Sequence, residues 1–323
     1  METSVDSVTT ERAVLAVLAG TPLADAAALA PIGSADLADA VDLYRTAGRT
    51  ALQQQAERCE WRQLRIQFPD QKAAESTFAT HLGPLLRKAE ATGAVSAWWF
   101  IRKQQWRLRC HPNSTRRPEE MDALLNSGLE DLRARGVISA WSDTVYEPEI
   151  YAFGGPQAMA VAHELFHRDS RCTLNYLTRP AVTAARRELS ILLCNLLMKA
   201  ANQDWYERGD IWARVEAHRP HDPAASPEQQ SRMKAQLHRL MSVDLRPVSE
   251  PVRSGRLRFA ARWIESFEQA GRTLASLEQE GSLGRGIRDV LAHHILFHWN
   301  RLGITPASQA TLARAARAVT MGN

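Results

Sequence analysis

The strongest constraint on the fold is a repeated change of hydrophobic spacing between residues 59 and 150. Segments with apolar residues at every second position are separated by segments with helical spacing, and each pattern is typical of one secondary structure. Strands are predicted over 62–68, 95–102, 105–111 and 137–146, and helices over 71–91 and 119–135. The order β-α-β-β-α-β is that of the ferredoxin-like arrangement. We therefore expect an α+β protein with a ferredoxin-like sheet region.

The segments on both sides of this stretch have helical spacing. Residues 1–58 contain short helical patterns with more acidic than basic residues, and 53–60 has the composition of a polar joint. Residues 151–323 are almost entirely helix-patterned. We predict a small all-helical N-terminal module over 1–58. A second domain over 59–323 would combine an α+β part (59–150) with a mainly helical part (151–323). The acidic excess of the module argues against DNA binding, because affinity for DNA depends on neutralising phosphates.

Composition and cysteine usage exclude several classes of protein. The chain has 323 residues, of which 45% are hydrophobic and 24% charged, which is typical of a globular protein and not of a disordered or collagen-like one. The four cysteines lie far apart in the sequence, so we expect free thiols. The N-terminus lacks the features of a signal peptide, and the longest apolar stretch, 189–201, is too short to span a bilayer. We expect a cytoplasmic protein without membrane association.

The third predicted strand has two chemically different faces. Strand alternation places Trp106, Leu108 and Cys110 on one face, which we expect to join the core. Arg107, Arg109 and His111 then share the other face, and residues 101–117 contain six lysines and arginines and no acidic residue. Guanidinium groups in a row suit the bidentate binding of carboxylates or phosphates. A solvated basic strand face is the alternative.

Two histidine-containing segments are further candidates for chemistry. The segment from His163 to His167 matches H-E-x-x-H, in which two histidines four residues apart can bind zinc beside a catalytic glutamate. The pattern is short, and a helix with one exposed and one packed histidine is the alternative. In the second segment, 293–301, His294 and His298 share a helix face, with Arg301 in the following turn. These residues could transfer protons near neutral pH or form part of a hydrogen-bonded core.

Several segments together resemble a known family. The segments are Trp98-Trp99-Phe100-Ile101-Arg102, Trp106-Arg107-Leu108-Arg109, Tyr146-Glu147-Pro148-Glu149, Phe153-Gly154-Gly155, Leu165-Phe166-His167-Arg168-Asp169-Ser170 and His298-Trp299-Asn300-Arg301-Leu302. In this order they are similar to the C-terminal domain of lantibiotic dehydratases, also called the thiopeptide-type bacteriocin biosynthesis domain, over about 61–305. In that family the H-E-x-x-H segment belongs to the helix that ends in Phe-His-x-Asp-Ser, so we set zinc aside and expect neither a metal nor a cofactor.

The resemblance implies a reaction and two partners. A glutamylating dehydratase subunit uses glutamyl-tRNA to esterify Ser or Thr of a ribosomal precursor peptide that carries a leader. The domain then eliminates glutamate, which leaves dehydroalanine or dehydrobutyrine. It therefore implies a peptide-modifying lyase.

The resemblance also directs attention to particular side chains. Our hypothesis is that Arg107 and Arg109 hold the carboxylates of glutamate and that His298 is the acid/base, oriented by His294 or Arg301. Further substrate-binding candidates are Arg102, His167 and Arg168. One position departs from the family pattern: Ala152 stands where many members have Arg before the Phe-Gly-Gly or Tyr-Gly-Gly sequence. The missing guanidinium would have to come from elsewhere, such as Arg102, Arg168 or Arg171.

Two alternatives follow from the Ala152 departure. Thiopeptide pyridine synthases resemble the same domain but join two dehydroalanines in a formal [4+2] cycloaddition and expel the leader peptide. In that case the basic strand face would hold peptide, and a histidine or tyrosine would assist proton transfer. The second alternative is a scaffold without catalytic activity that binds the precursor peptide or the dehydratase subunit.

Overall fold

The computed structural model describes residues 7–179, 185–219 and 227–322. By its internal contacts the chain divides into two compact units, Met1–Cys59 and Glu60–Asn323. The first unit contains helices α1 (Ser7–Leu18), α2 (Leu23–Ala28) and α3 (Ser34–Glu60). Val14, Leu37 and Val41 are buried in its small core. The polar joint expected over 53–60 is instead helical, since α3 continues to Glu60.

The second unit begins with the predicted alternation of strands and helices. Its elements are β1 (Arg62–Gln67), α4 (Ala74–Thr77), a π-helical turn (Phe78–Leu82), α5 (Gly83–Ala91), β2 (Val95–Ile101), β3 (Trp106–Pro112), α6 (Pro118–Ala134) and β4 (Ala140–Thr144). The four strands form one antiparallel sheet in the order β2-β3-β1-β4. The structure thus confirms a mixed α+β class, and the ferredoxin-like classification stays a prediction.

One face of the sheet packs on α5 and α6. Leu64, Trp98, Phe100 and Leu108 are buried there together with apolar residues of both helices. This is the face that strand alternation predicted for Leu108. The opposite face has a mixed character, since Trp99 and Ile101 belong to a separate aromatic cluster with residues of the following helical part.

The rest of the second unit is helical. Its helices are α7 (Pro156–Leu177), α8 (Arg186–Ala200), α9 (Trp205–Ala217), α10 (Pro227–Met241), α11 (Glu250–Arg253), α12 (Ala261–Gln279), α13 (Ile287–Leu302) and α14 (Pro306–Met321). Helices α8 and α12 approach closely at Gly271, where an added Cβ would lie 2.4 Å from the Leu197 carbonyl oxygen. The chain enters α7 through Gly154, whose φ of +88° is accessible to glycine at little cost.

Helix α7 lies along the free edge of strand β2. The backbone N–H of Trp98 donates to His167 Nδ1 at 3.1 Å, and that of Phe100 donates to Ser170 Oγ at 3.3 Å. Arg301 Nε on α13 donates to the Phe100 carbonyl oxygen at 3.1 Å. An open sheet edge exposes unpaired backbone groups, and these side chains satisfy them. Segments quoted above for the family resemblance therefore join the helical part to the sheet.

Two further expectations concern cysteines and membranes. Cys110, Cys172 and Cys194 are free thiols, as predicted, whereas the side chain of Cys59 lies outside the described residues. Within the described ranges, no helix combines the length and apolarity needed to cross a bilayer.

Candidate active site

The mixed face of the sheet carries a buried arginine held across three strands. Strand pairing places Arg109 opposite both Trp99 and Gln63. Arg109 Nε donates to Gln63 Oε1 at 2.8 Å, and Gln63 Nε2 donates in turn to Thr144 Oγ1 at 2.8 Å. The guanidinium carbon lies 4.0 Å from the centre of the Trp99 ring and 4.8 Å from that of Tyr146. Aromatic stacking and the hydrogen-bonded chain together fix the orientation of this guanidinium.

Arg109 combines burial with an unused donor. Arg109 is only 6% exposed. Burial lowers the pKa of Arg109 to about 10, which leaves the guanidinium protonated at neutral pH. Within the described residues, Nη1 has no hydrogen-bond partner. Because buried donors are nearly always satisfied in proteins, this geometry suits the binding of an anion.

A histidine and a tyrosine lie beside Arg109. His163 Nε2, on α7, is 2.8 Å from Tyr146 Oη. Burial, with a smaller contribution from the charges of His111 and Arg109, lowers the pKa of His163 to about 3. The imidazole is therefore neutral at physiological pH, and burial raises the pKa of the Tyr146 phenol. The pair can pass a proton along one hydrogen bond.

The sequence pattern does not predict this pair. In it, His163 is a candidate only as a zinc ligand, and Tyr146 is only part of a family segment. In the structure His163 contacts Tyr146, whereas His167 contacts the backbone of β2. The described part of the chain contains no group of three or more histidine, cysteine or acidic side chains placed to hold a metal ion. The spacing of His163 and His167 shows that they share a helix face, but it does not show which residues that face contacts.

Arg107 lies on the same face as Arg109 but in a different environment. It is partly exposed and pairs in register with Arg65 of β1. Arg65, Lys103 and Arg107 line one cavity of about 630 Å³ at the end of the sheet. The structure therefore places the two arginines predicted as carboxylate ligands on one face of the sheet, with Arg109 buried and Arg107 lining this cavity.

The predicted acid/base His298 belongs to a second, interior cluster. Its Nδ1 lies 2.9 Å from Asp169 Oδ2, and Trp263 Nε1 donates to Asp169 Oδ1 at 2.8 Å. Arg301 forms an ion pair with the same carboxylate. Burial tends to raise the pKa of Asp169, but the neighbouring His298 and Arg301 outweigh it and hold the pKa below its ordinary value.

This interior cluster is closed to solvent. His298 is 2% exposed and Arg301 1% exposed. The His298 ring lies 4.8 Å from that of Phe267, and within the described residues its Nε2 has no hydrogen-bond partner. The Arg301 guanidinium carbon lies 5.8 Å from the centre of the Trp99 ring, the same ring on which Arg109 stacks. The two clusters are thus neighbours separated by Trp99.

The remaining predicted residues are placed elsewhere. His294 is buried 4.9 Å from the Phe153 ring, and burial lowers its pKa to about 3. Arg102 and Arg168 are ion-paired with Glu75 and Glu164. His167 satisfies the edge of β2, as described above. None of these side chains has a contact with Arg109 among the interactions of the described residues.

The same holds for the guanidinium expected to compensate for Ala152. Ala152 packs against the aromatic cluster that contains Trp99 and Tyr146. Arg171, the third candidate substitute, lies 3.6 Å from Glu90. The cations that do accompany Arg107 are Arg65 and Lys103.

Residues 61–320 match the family described as lantibiotic biosynthesis dehydratase C-term. The chain belongs to this family. No curated protein matches it significantly.

Solved structures with the same fold are distant in sequence. The chain is 16% identical to the tRNA-dependent lantibiotic dehydratase MibB from Microbispora sp. 107891, with a TM-score of 0.61 over 82% of this chain and 28% of that one. It is 16% identical to TsrL, with a TM-score of 0.56 over 80% of this chain and 94% of that one. For TbtD, a pyridine synthase from thiomuracin biosynthesis, the values are 13% and 0.51, over 81% and 98% of the two chains.

The similarities to solved structures show the fold. The family model relates the chain to the C-terminal part of lantibiotic biosynthesis dehydratases. The chain spans about a quarter of the length of MibB.

Proposed function

We propose that this member of the lantibiotic dehydratase C-terminal family is a lyase that eliminates glutamate from glutamylated Ser or Thr of a ribosomal precursor peptide. The observation that carries the proposal is the Arg109 guanidinium, buried, charged and with a free Nη1, beside the neutral His163–Tyr146 pair. A departing carboxylic acid needs an anion-binding group and a proton-transfer group on the same side of the substrate.

Proton removal and stabilisation of the departing glutamate are carried out by different side chains. A base removes the α-proton of the esterified residue, and the electron pair left on Cα forms the Cα–Cβ double bond. The Cβ–O bond breaks, and glutamate leaves with a new carboxylate. Arg109 and Arg107 stabilise the negative charge on glutamate, and the buried Arg109 contributes about 2–4 kcal/mol to the transition state.

We assign proton transfer to His163 and Tyr146. His163 is neutral in the free protein because burial disfavours its charged form. A glutamate carboxylate bound on Arg109 would bring a negative charge close to the imidazole and thereby raise its pKa. The site would then become a better base only when substrate is present.

His298 takes a different part in this proposal. Its 2% exposure argues against direct contact with a peptide, so the acid/base role predicted from the sequence becomes a positioning role. With Asp169, it holds Arg301, whose guanidinium carbon lies 5.8 Å from the centre of the Trp99 ring on which Arg109 stacks. His294 packs against the Phe153 ring and is likewise assigned a positioning role.

The proposed reaction requires a supply of ester. We propose that a glutamylating dehydratase subunit, dependent on glutamyl-tRNA, provides it in the cytoplasm on a precursor peptide with a leader. The relation to MibB supports this division, because the chain corresponds to 28% of that tRNA-dependent dehydratase.

The test uses a synthetic peptide that carries a glutamyl ester on one serine. Mass spectrometry should show release of free glutamate and a dehydroalanine in the peptide product. Arg109→Gln should slow the release by about thirtyfold to a thousandfold, whereas Arg135→Gln, which alters an exposed helix residue, should not. If the ester stays intact and the peptide stays bound, the result would contradict elimination and support the scaffold without catalytic activity.

Cycloaddition is the second candidate function, and Ala152 favours it. A guanidinium that other members carry beside this cluster is replaced by a methyl group that packs against it. A substrate already dehydrated at two serines separates the candidates. Loss of the leader with formation of a six-membered nitrogen ring would identify the cycloaddase, and no change together with glutamate release from the ester would exclude it.

A further inference from the structure

Three cations lie close together at the end of the sheet. Arg65, Lys103 and Arg107 line the same cavity of about 630 Å³. Arg65 and Arg107 are also directly opposite each other in the pairing of β1 with β3. Like charges at opposite positions of neighbouring strands destabilise a sheet. An anion bound from outside the protein would relieve the repulsion between these two arginines.

Some surface arginines of the second unit have a partner within the chain. Arg133, Arg214 and Arg288, for example, each pair with a carboxylate. In the described residues, no carboxylate lies within 4 Å of the charged groups of Arg65, Lys103 or Arg107. Burial and the positive charge of Arg107 lower the pKa of Lys103, and the charge of Glu149 opposes them only in part.

The lining of the cavity indicates the chemistry of its occupant. Besides the cations, the walls are formed by amide and apolar side chains, namely Gln67, Phe68, Pro69, Gln71, Gln104 and Gln105. Glutamine amides can both donate to and accept from the backbone of an extended peptide. A planar guanidinium pair matches the geometry of a carboxylate. The volume is sufficient for side chains of a few residues.

We propose that this cavity binds an acidic side chain of the peptide substrate close to the residue that is modified, with Arg65 and Lys103 as specificity-determining contacts. That the bound peptide is the substrate rests on the proposed function. That it is acidic follows from the cations that line the cavity. Arg107 belongs to both places, since it lies two residues from Arg109 on one strand face. A peptide held here would have its neighbouring residue directed towards Arg109.

Binding of defined peptides to the full chain tests the proposal. The probes are fluorescein-labelled Gly-Gly-Ser-Glu-Glu-Gly-Gly and its counterpart with Gln in place of both glutamates. The test variant is Arg65→Gln combined with Lys103→Gln. The control is Lys88→Gln combined with Arg117→Gln, two exposed helix-end positions whose replacement removes the same net charge.

Fluorescence anisotropy should show that the protein prefers the acidic probe and that the test variant binds it on the order of tenfold more weakly. The control variant should bind within about twofold of the unaltered protein, and the neutral probe should bind all three alike. Equal losses in test and control variants would overturn the proposal. Stronger competition by inorganic phosphate or a short oligoribonucleotide than by the acidic probe would also overturn it, in favour of a phosphate site.

Failure of the proposed reaction would be seen separately. Thermal unfolding followed by circular dichroism verifies that both variants fold. If the unaltered protein releases no glutamate from a glutamyl ester but shows the predicted peptide preference, the lyase proposal fails and the cavity assignment stands. If glutamate is released without any preference between probes, the cavity assignment fails alone.

Discussion

Asp169 Oδ2 lies 2.9 Å from His298 Nδ1, although the two residues are 129 positions apart in the sequence. Both side chains are almost fully buried, and Arg301 completes the cluster with an ion pair to the same carboxylate. Removing one partner of such a cluster leaves an uncompensated charge in the interior. The cluster therefore stabilises the junction between the sheet and the helical part.

Asp169→Asn should lower the free energy of unfolding by about 3–5 kcal/mol, because Arg301 would lose its counter-charge in a buried setting. The control is Asp143→Asn, which removes a carboxylate that pairs with Arg62 at the surface and should cost at most about 1 kcal/mol. Urea unfolding followed by circular dichroism measures both values. Equal losses would show that the interior pair contributes no more than the surface pair.

Gln63→Leu should affect both stability and activity. The change removes the acceptor of Arg109 Nε and leaves a buried donor unsatisfied, with an expected loss of about 1–3 kcal/mol in unfolding free energy. Gln63→Glu keeps the acceptor for Arg109 Nε but replaces the Nε2 donor to the Val145 carbonyl oxygen with a carboxylate oxygen, so it should lose stability as well. Its negative charge would neutralise Arg109 and weaken anion binding, so glutamate release should show a raised KM. A normal KM for Gln63→Glu would argue against anion binding by Arg109.

Tyr146→Phe isolates the contribution of one hydroxyl group. The aromatic ring that stacks against Arg109 is retained, and only the hydrogen bond to His163 is lost. Glutamate release should slow by about 10²-fold to 10⁴-fold if this pair transfers the proton, which is the usual range for a general acid–base group. Tyr151→Phe, at an exposed position of the same loop, is the matched control. Unchanged release in Tyr146→Phe would return the proton-transfer role to another residue.

His294 should make the protein sensitive to acid. Burial lowers its pKa to about 3 in the folded state, whereas an unfolded histidine has a pKa of about 6.5. Below pH ~6.5 the unfolded chain binds a proton that the folded protein does not bind until near pH 3. Stability therefore falls as the pH is lowered through this window.

His294→Leu removes that proton uptake. Between pH 6 and 4, the unfolding free energy of the variant should depend on pH less steeply than that of the unaltered protein, by about 1.4 kcal/mol per pH unit. His163 and His293, whose pKa values burial also lowers, contribute equally in both proteins. Urea unfolding at several pH values gives the two slopes. Identical slopes would mean that His294 is protonated in the folded state.

Local patterns in the sequence predicted the elements well. Apolar residues at every second position placed Leu108 in the core and Arg107 and Arg109 on the opposite face of β3, and the strand pairing confirms that separation. The sets of strands and helices between 59 and 150 were also predicted, because each depends on spacing within a few residues. The family segments were recognisable because they occur in a fixed order along the chain.

Partners across the fold could not be predicted in the same way. The three histidines cannot be distinguished by their helical spacing. His163 contacts Tyr146, His167 contacts the edge of β2, and His298 contacts Asp169. Spacing within a helix shows which side chains share a face, but the partner of that face comes from residues far away in the sequence. The elements, the basic strand face and the family can thus be read from local patterns in the chain. Which histidine lies beside Arg109 and which is enclosed depends on the folded protein, because burial and ion pairing arise from packing between distant segments.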